Sequence, residues 1–458
     1  MGALVGTRLT DSRQYAHLWG TAELGSLFEE PARLQAWLDV LAALATTQAQ
    51  LGMVPAEAAA EIATHARVDS LDLDLVAQQT RMTSHSMLGL IRALQHVLPE
   101  TAREHVYAGA TVQDVTDTWF ALAMREVGAL IWRDLRAIED ALLGLAVTHR
   151  DTVMAGRTHG QPGAPITFGF KAASWADEVR RHLDRLREGR PRWLVGQLGG
   201  AVGVLGFFEP QGLALREQFC AELGLGDPGI SWLSSRDRVA EFGGLLAMVC
   251  GTLARIGTEV LELQRPEIGE LREPSTAEAV SSITMPHKRN PEGSEHLDTL
   301  ARLVRANAGV LVEGMVAVHE RDGRGWKAEW SAFPEVCLLT GVALQVARRL
   351  VSGLEVDVEA MRVNLESHGD RIASERLLAG LAGKVGKHTA QRLMHEVLSP
   401  GTADVTHVVD ALVAAGAATE QDCRRWLAVP ATGAAGTMVD IVVSRARAAR
   451  DAEPDRWP

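Results

Sequence analysis

The chain has 458 residues, 47% hydrophobic and 23% charged, with a net charge of −12 from 46 basic and 58 acidic side chains. That length exceeds one small core, and the acidic balance argues against nucleic acid or an anionic membrane surface as the main partner. Eleven Trp against two Tyr, with abundant Ala, Leu, Glu and Arg, favour helix over sheet.

The N-terminal run from Met1 to Arg13 has no apolar leader segment. No stretch approaches the ~18 consecutive apolar residues of a membrane span. The expected location is the cytoplasm. Pro31 suits the first turn of a helix over 31–48, with Leu34, Trp37, Leu38, Leu41 and Leu44 on one face. Pro55 opens an Ala-rich helix, and a further apolar pattern covers 83–97. Asp114 to Thr148 reads as a longer helix, with Leu122, Met124, Val127, Ile131 and Leu135 as core candidates.

The run GRTHGQPGAP, Gly156 to Pro165, breaks that pattern, and helix resumes near Thr167. Gly196 to Gly206 is Gly-rich, but it lacks GxGxxG spacing and a preceding strand. Close backbone packing, or a turn beside a pocket, is the better reading. Over 238–264, Val239, Phe242, Leu246, Val249, Leu253, Ile256, Val260 and Leu263 step alternately by three and four. This 3.5-residue period predicts the seam of a long bundled helix, roughly 40 Å from end to end. Gly243, Gly244, Gly251 and Gly257 within it predict close approach by a neighbour. A second long helix is expected over 294–318, with Leu297, Leu300, Val304, Ala308, Leu311, Met315 and Val318 inward. After Leu354 the helices shorten, marking a C-terminal helical domain. No convincing period-2 strand is found. Helices this long invite burial against further copies of the chain. Cys220, Cys250, Cys337 and Cys423 are widely spaced, which predicts reduced core residues.

Three polar clusters can carry chemistry. Thr111, Val112, Gln113 and Asp114 start a helix, where Thr111 can cap and where backbone N–H groups can face an anion. Arg157, Thr158 and His159 sit between Gly and Pro breaks, on irregular backbone of the kind that often holds function. Ser281 to Pro291 packs hydroxyls, an imidazole, two cations and a carboxamide into one loop. In it Lys288 and Asn290 can hold a carboxylate, and Ser282 is a candidate base or nucleophile. Scattered His residues, with no HExxH and no CxxC, argue against a metal site.

In this order the clusters resemble the fumarase/aspartase superfamily, which includes adenylosuccinate lyases and bacterial 3-carboxy-cis,cis-muconate cycloisomerases. The most specific part is TMPHKRNP at 284–291, similar to the end of the signature GSSxMPxKxNP, with GRTHGQP upstream. The resemblance implies an all-α fold of three helical domains, placed here at 1–110, 111–354 and 355–458. It also implies a central bundle shared by a homotetramer, with each active site drawn from three chains.

By the same resemblance Ser282 is the catalytic base, and His159, paired with Glu295, is the general acid. Lys288 and Asn290 bind substrate carboxylate, and Thr111, Thr158, Gln113, His85 and Arg321 are further substrate-binding candidates. No cofactor or metal is implied. Ser281, Ile283 and Val112 depart from the family pattern. The run from His319 to Trp330 is similar to the cycloisomerase branch and lacks a phosphate-binding arginine near Trp330.

The implied chemistry is elimination from a small 2-substituted succinate, giving fumarate. Lys288, Asn290 and helix N-terminal donors would stabilise the aci-carboxylate, with an amine or nitrite as leaving group. The alternatives are a carboxymuconate-type lactonisation and a non-catalytic, crystallin-like scaffold.

Overall fold

The computed structural model describes residues 8–275, 282–285, 287–398, 406–427, 432–454 and 456–457. Among these the chain is overwhelmingly helical, with two short antiparallel ribbons. Five helices of 22 or more residues form the centre: α1 (Val112–Thr148), α2 (Phe168–Trp193), α3 (Asp237–Gln264), α4 (Glu292–Glu313) and α5 (Gly323–Ser352). Helix α3 packs along α4, α5 and α2, while α1 packs on α2 and α5.

The expected seam of α3 is the bundle core. All eight of its residues, Val239 to Leu263, are buried. Its glycines divide into two pairs. A Cβ on Gly243 would meet Leu311 at 2.4 Å, and one on Gly257 would meet Leu297 at 3.0 Å, so α4 approaches closely there. Gly244 and Gly251 face open space, against the expectation of a close neighbour within the chain. Helix α4 stops at Glu313, short of the expected 318, leaving Met315 and Val318 about half exposed instead of inward.

Helices α3 and α5 are long and apolar enough, by composition, to cross a membrane, contrary to the reading from the sequence. Their most apolar stretches are 67% and 61% buried against other helices, so the apolarity serves the bundle. All four cysteines are buried and unpaired, as expected. One continuous core runs from Leu24 in the N-terminal part to Ala446 near the C-terminal end. A second, smaller core gathers Leu377, Leu381, Leu412, Cys423 and Trp426.

The run GRTHGQPGAP is not irregular. Val153–Thr158 (β1) pairs antiparallel with Gln161–Thr167 (β2), and Thr158 lies opposite Gln161. His159 (φ 53°) and Gly160 (φ 75°) both adopt left-handed backbone, the geometry of a two-residue hairpin turn. Pro162 and Pro165 hid the second strand, because proline donates no ladder hydrogen bond. A second ribbon pairs Leu271–Arg272 (β3) with Glu355–Val356 (β4).

Candidate active site

Thr111 sits at the head of α1, 8% exposed. Its backbone N–H donates to Asp114 Oδ2 at 2.9 Å. Arg321, in the loop before α5, donates from Nη2 to Thr111 Oγ1 at 2.5 Å and to the Ala201 carbonyl at 2.9 Å. The structure therefore brings two expected binding residues together and adds the Gly-rich loop to them. Val112, the family departure beside Thr111, is half-buried. Gln113 is placed differently from its expected substrate contact. It is fully buried, and its Nε2 donates to the Leu233 carbonyl at 2.6 Å, so it braces the core beneath the site.

His159 and Thr158 are exposed at the tip of the β1–β2 hairpin, and the His159 side chain makes no hydrogen bond among the described residues. The hairpin is anchored one residue earlier. Arg157 forms a two-armed pair with Glu270 at 2.9 and 2.7 Å, and the Glu270 carboxylate, fully buried, also accepts from Asn364 at 2.8 Å. A guanidinium held by both nitrogens fixes the strand in position and in rotation.

In the Ser282 loop, the Met285 N–H donates to Ser282 Oγ at 3.0 Å, and the Lys288 N–H donates to the Met285 carbonyl at 3.0 Å. Ser282 is half-buried, and Lys288 is exposed. An N–H aimed at the serine oxygen favours its ionised form. Ile283 is 95% exposed, while Ser281 lies outside the described residues.

The base of this loop is tied together by two side chains. Gln264 accepts from the Glu273 N–H at 2.7 Å and donates to the Arg289 carbonyl at 3.2 Å. Glu273 accepts from the N–H groups of Gly293 (3.0 Å) and Ser294 (2.7 Å) at the start of α4. The N-terminal donors of that helix are thus occupied by an internal carboxylate. Beside the loop a hollow of about 430 Å³ is lined by Gln264, Glu273, Asn290, Glu295 and His296.

His85 is not helical. It sits in a turn after Ser84 (φ 54°), between helices Leu73–Thr83 and Leu88–Val97. Its Nδ1 accepts from the N–H groups of Met87 (3.3 Å) and Leu88 (3.0 Å). Both partners are donors, so a neutral His85 carries its proton on Nε2 and presents a donor outward. Trp326 is buried edge-on against Trp330 with ring centroids 4.7 Å apart.

A model of a lyase family matches residues 20–306. The chain belongs to this family of lyases, within the fumarase/aspartase superfamily. The lyase is 38% identical over 392 residues to the N-acetyl-S-(2-succino)cysteine lyase of Dickeya dadantii (strain 3937), spanning 86% of each chain. It is 35% identical over 445 residues to a protein of the same name from Enterococcus italicus, spanning 96% of this chain and 98% of that one. The crystal structure of the 3-carboxy-cis,cis-muconate lactonizing enzyme from Pseudomonas putida matches with a TM-score of 0.84 at 33% identity, over 94% of this chain and 98% of the other.

Within one chain of the lyase the expected residues fall into separate groups. Thr111 and Arg321 touch, and Asn290 and Glu295 share a hollow. The hairpin bearing His159 instead packs on the helix Val358–Ser367 and the turn Gly369–Ala373. Sequence reasoning missed Asp114 and Arg157 as holding groups. Asp114 had a legible signal, an acid three residues after a capping threonine. Arg157 had none, because its partner Glu270 lies 113 positions away.

Proposed function

We propose that this lyase eliminates the 2-substituent of a small succinyl adduct to give fumarate, with a thioether sulfur as the favoured leaving atom. The observation that carries the leaving atom is the near full-length match, at 35% identity, to a relative named for a succino-cysteine thioether. The amine or nitrite group expected from the sequence remains the comparison substrate. Arg321 supports a small substrate, because it is committed to Thr111 and Ala201.

Ser282 takes the proton next to one carboxylate. The charge that develops on that carboxylate is met by Lys288 and Asn290. The C–S electron pair leaves on sulfur, the C=C bond forms, and His159 gives sulfur its proton so that a free thiol departs. Glu295 is the carboxylate that orients His159. Because the His159 hairpin and the Glu295 helix pack on different neighbours within one chain, the reading places this pair across two subunits of a homotetramer. The open faces of Gly244 and Gly251 on α3, with exposed Met248 beside them, support burial against another copy.

His159→Gln lowers kcat about a hundredfold with KM little changed, measured as fumarate release at saturating thioether. Unchanged fumarate release removes the acid assignment. Arg157→Ala acts at one remove. It frees the hairpin from Glu270, and kcat falls about ten- to a hundredfold through misplacement of His159. Steady-state kinetics alongside a melting curve separate that loss from unfolding.

A further inference from the structure

Three segments far apart in the sequence close a ring of hydrogen bonds around one buried carboxylate. Asp114 is 1% exposed. It accepts from the backbone N–H groups of Thr111 (2.9 Å), Gly199 (2.8 Å) and Gly200 (3.0 Å), and from Gln197 Nε2 (3.1 Å). Gln197 is itself fully buried, and its second amide hydrogen goes to Ser231 Oγ at 2.9 Å. The next residue of the loop, Ala201, accepts from Arg321, and Arg321 donates to Thr111. The path returns to where it began.

The loop is shaped for this arrangement. A Cβ on Gly199 would meet Ser231 Oγ at 2.7 Å and the Gly203 Cα at 2.9 Å, and Gly200 has φ 71°. Only glycine brings two successive N–H groups onto one carboxylate here. Four donors on a fully buried anion offset its desolvation, and losing the anion leaves those donors unpaired.

We propose that Asp114 is a positioning residue, whose ionised carboxylate sets the Thr111 hydroxyl and the Arg321 guanidinium at the spacing that receives one carboxylate of the succinyl substrate. This rests on the elimination reading. Burial raises the Asp114 pKa to about 6, against the pull of its hydrogen-bond donors. The other ionisable groups of the ring are Tyr107 and Arg321. Burial and the Asp114 charge push the Tyr107 phenol up, so it stays neutral. The loop 196–203 carries no titratable side chain. Above about pH 6 the carboxylate is ionised and the ring is closed; as pH falls through 6 it takes a proton and loses its hold on Gly199 and Gly200.

The test is Asp114→Asn, which keeps the shape but turns an amide toward N–H donors. KM for a succinyl thioether rises about tenfold, as for loss of one charge-assisted hydrogen bond, while kcat changes less. The acid limb of kcat/KM near pH 6 disappears in the variant. A folded variant with unchanged KM and an unchanged acid limb overturns the proposal. Should the variant not fold, hydrogen–deuterium exchange of the wild-type 196–206 peptide decides. Corrected for intrinsic rates, exchange rises as pH falls from 8 to 5, and a flat profile overturns the proposal. That exchange series needs no turnover, so an enzyme that releases no fumarate from any succinyl adduct sinks the elimination reading without masking the answer on Asp114.

Discussion

Ser282→Ala lowers kcat for fumarate release by about a hundred- to ten-thousandfold and leaves KM within a few-fold. The proton beside a carboxylate is weakly acidic, so the base must be strong, and a serine becomes one only as an alkoxide. The structure supplies two aids to ionisation on one turn. The Met285 N–H points at Ser282 Oγ at 3.0 Å, and Lys288 is carried on the same turn by its bond to the Met285 carbonyl. Alanine removes the base and keeps the turn, since Lys288 and Met285 pair through backbone alone. Substrate binding, which the proposed reading assigns to Lys288, Asn290 and the Thr111–Arg321 pair, survives. A variant that turns over at the wild-type rate rules out the serine base.

Arg236→Met destabilises the fold by about 3–5 kcal/mol, the range for removing one partner of a buried ion network. Arg236 is 2% exposed, and Asp117 and Glu329 are fully buried. Its Nη1 and Nη2 hold Asp117 at 2.7 and 3.1 Å, and its Nε holds Glu329 at 3.0 Å. The three residues join α1, the start of α3 and α5. Burial raises the pKa of both carboxyls, and Arg236 is what lowers them again. Without it, both rise further in the folded state. The folded variant then binds more protons than the unfolded chain, so stability falls as pH rises. The melting temperature of Arg236→Met is accordingly lowest near pH 8 and partly recovers toward pH 5. A loss that does not vary with pH would show that the two carboxyls are not the cause.

Much of the fold was legible because it rests on local periodicity. The α3 seam is a repeating pattern that one helix face must satisfy, and each of its residues is buried. The hairpin was not legible, because its second strand contains two prolines and its stability comes from Arg157 reaching Glu270 across the chain. Gly244 and Gly251 mark a different limit. Sequence spacing says that small residues line a face; it does not say whether the neighbour is the same chain or another copy. In the site, Ser282, Lys288 and Asn290 were legible as a dense polar motif. Glu273 was not, since it acts on the backbone N–H groups of Gly293 and Ser294, which leave no trace in side-chain spacing.

The most direct measurement incubates the purified enzyme with an S-succinyl thioether, an N-succinyl amine and 3-carboxy-cis,cis-muconate, each followed for fumarate or lactone by NMR. Fumarate and free thiol forming in equal amounts from the thioether, abolished by Ser282→Ala, is the predicted result. Lactone from the muconate, with no fumarate from either succinyl adduct, would contradict it.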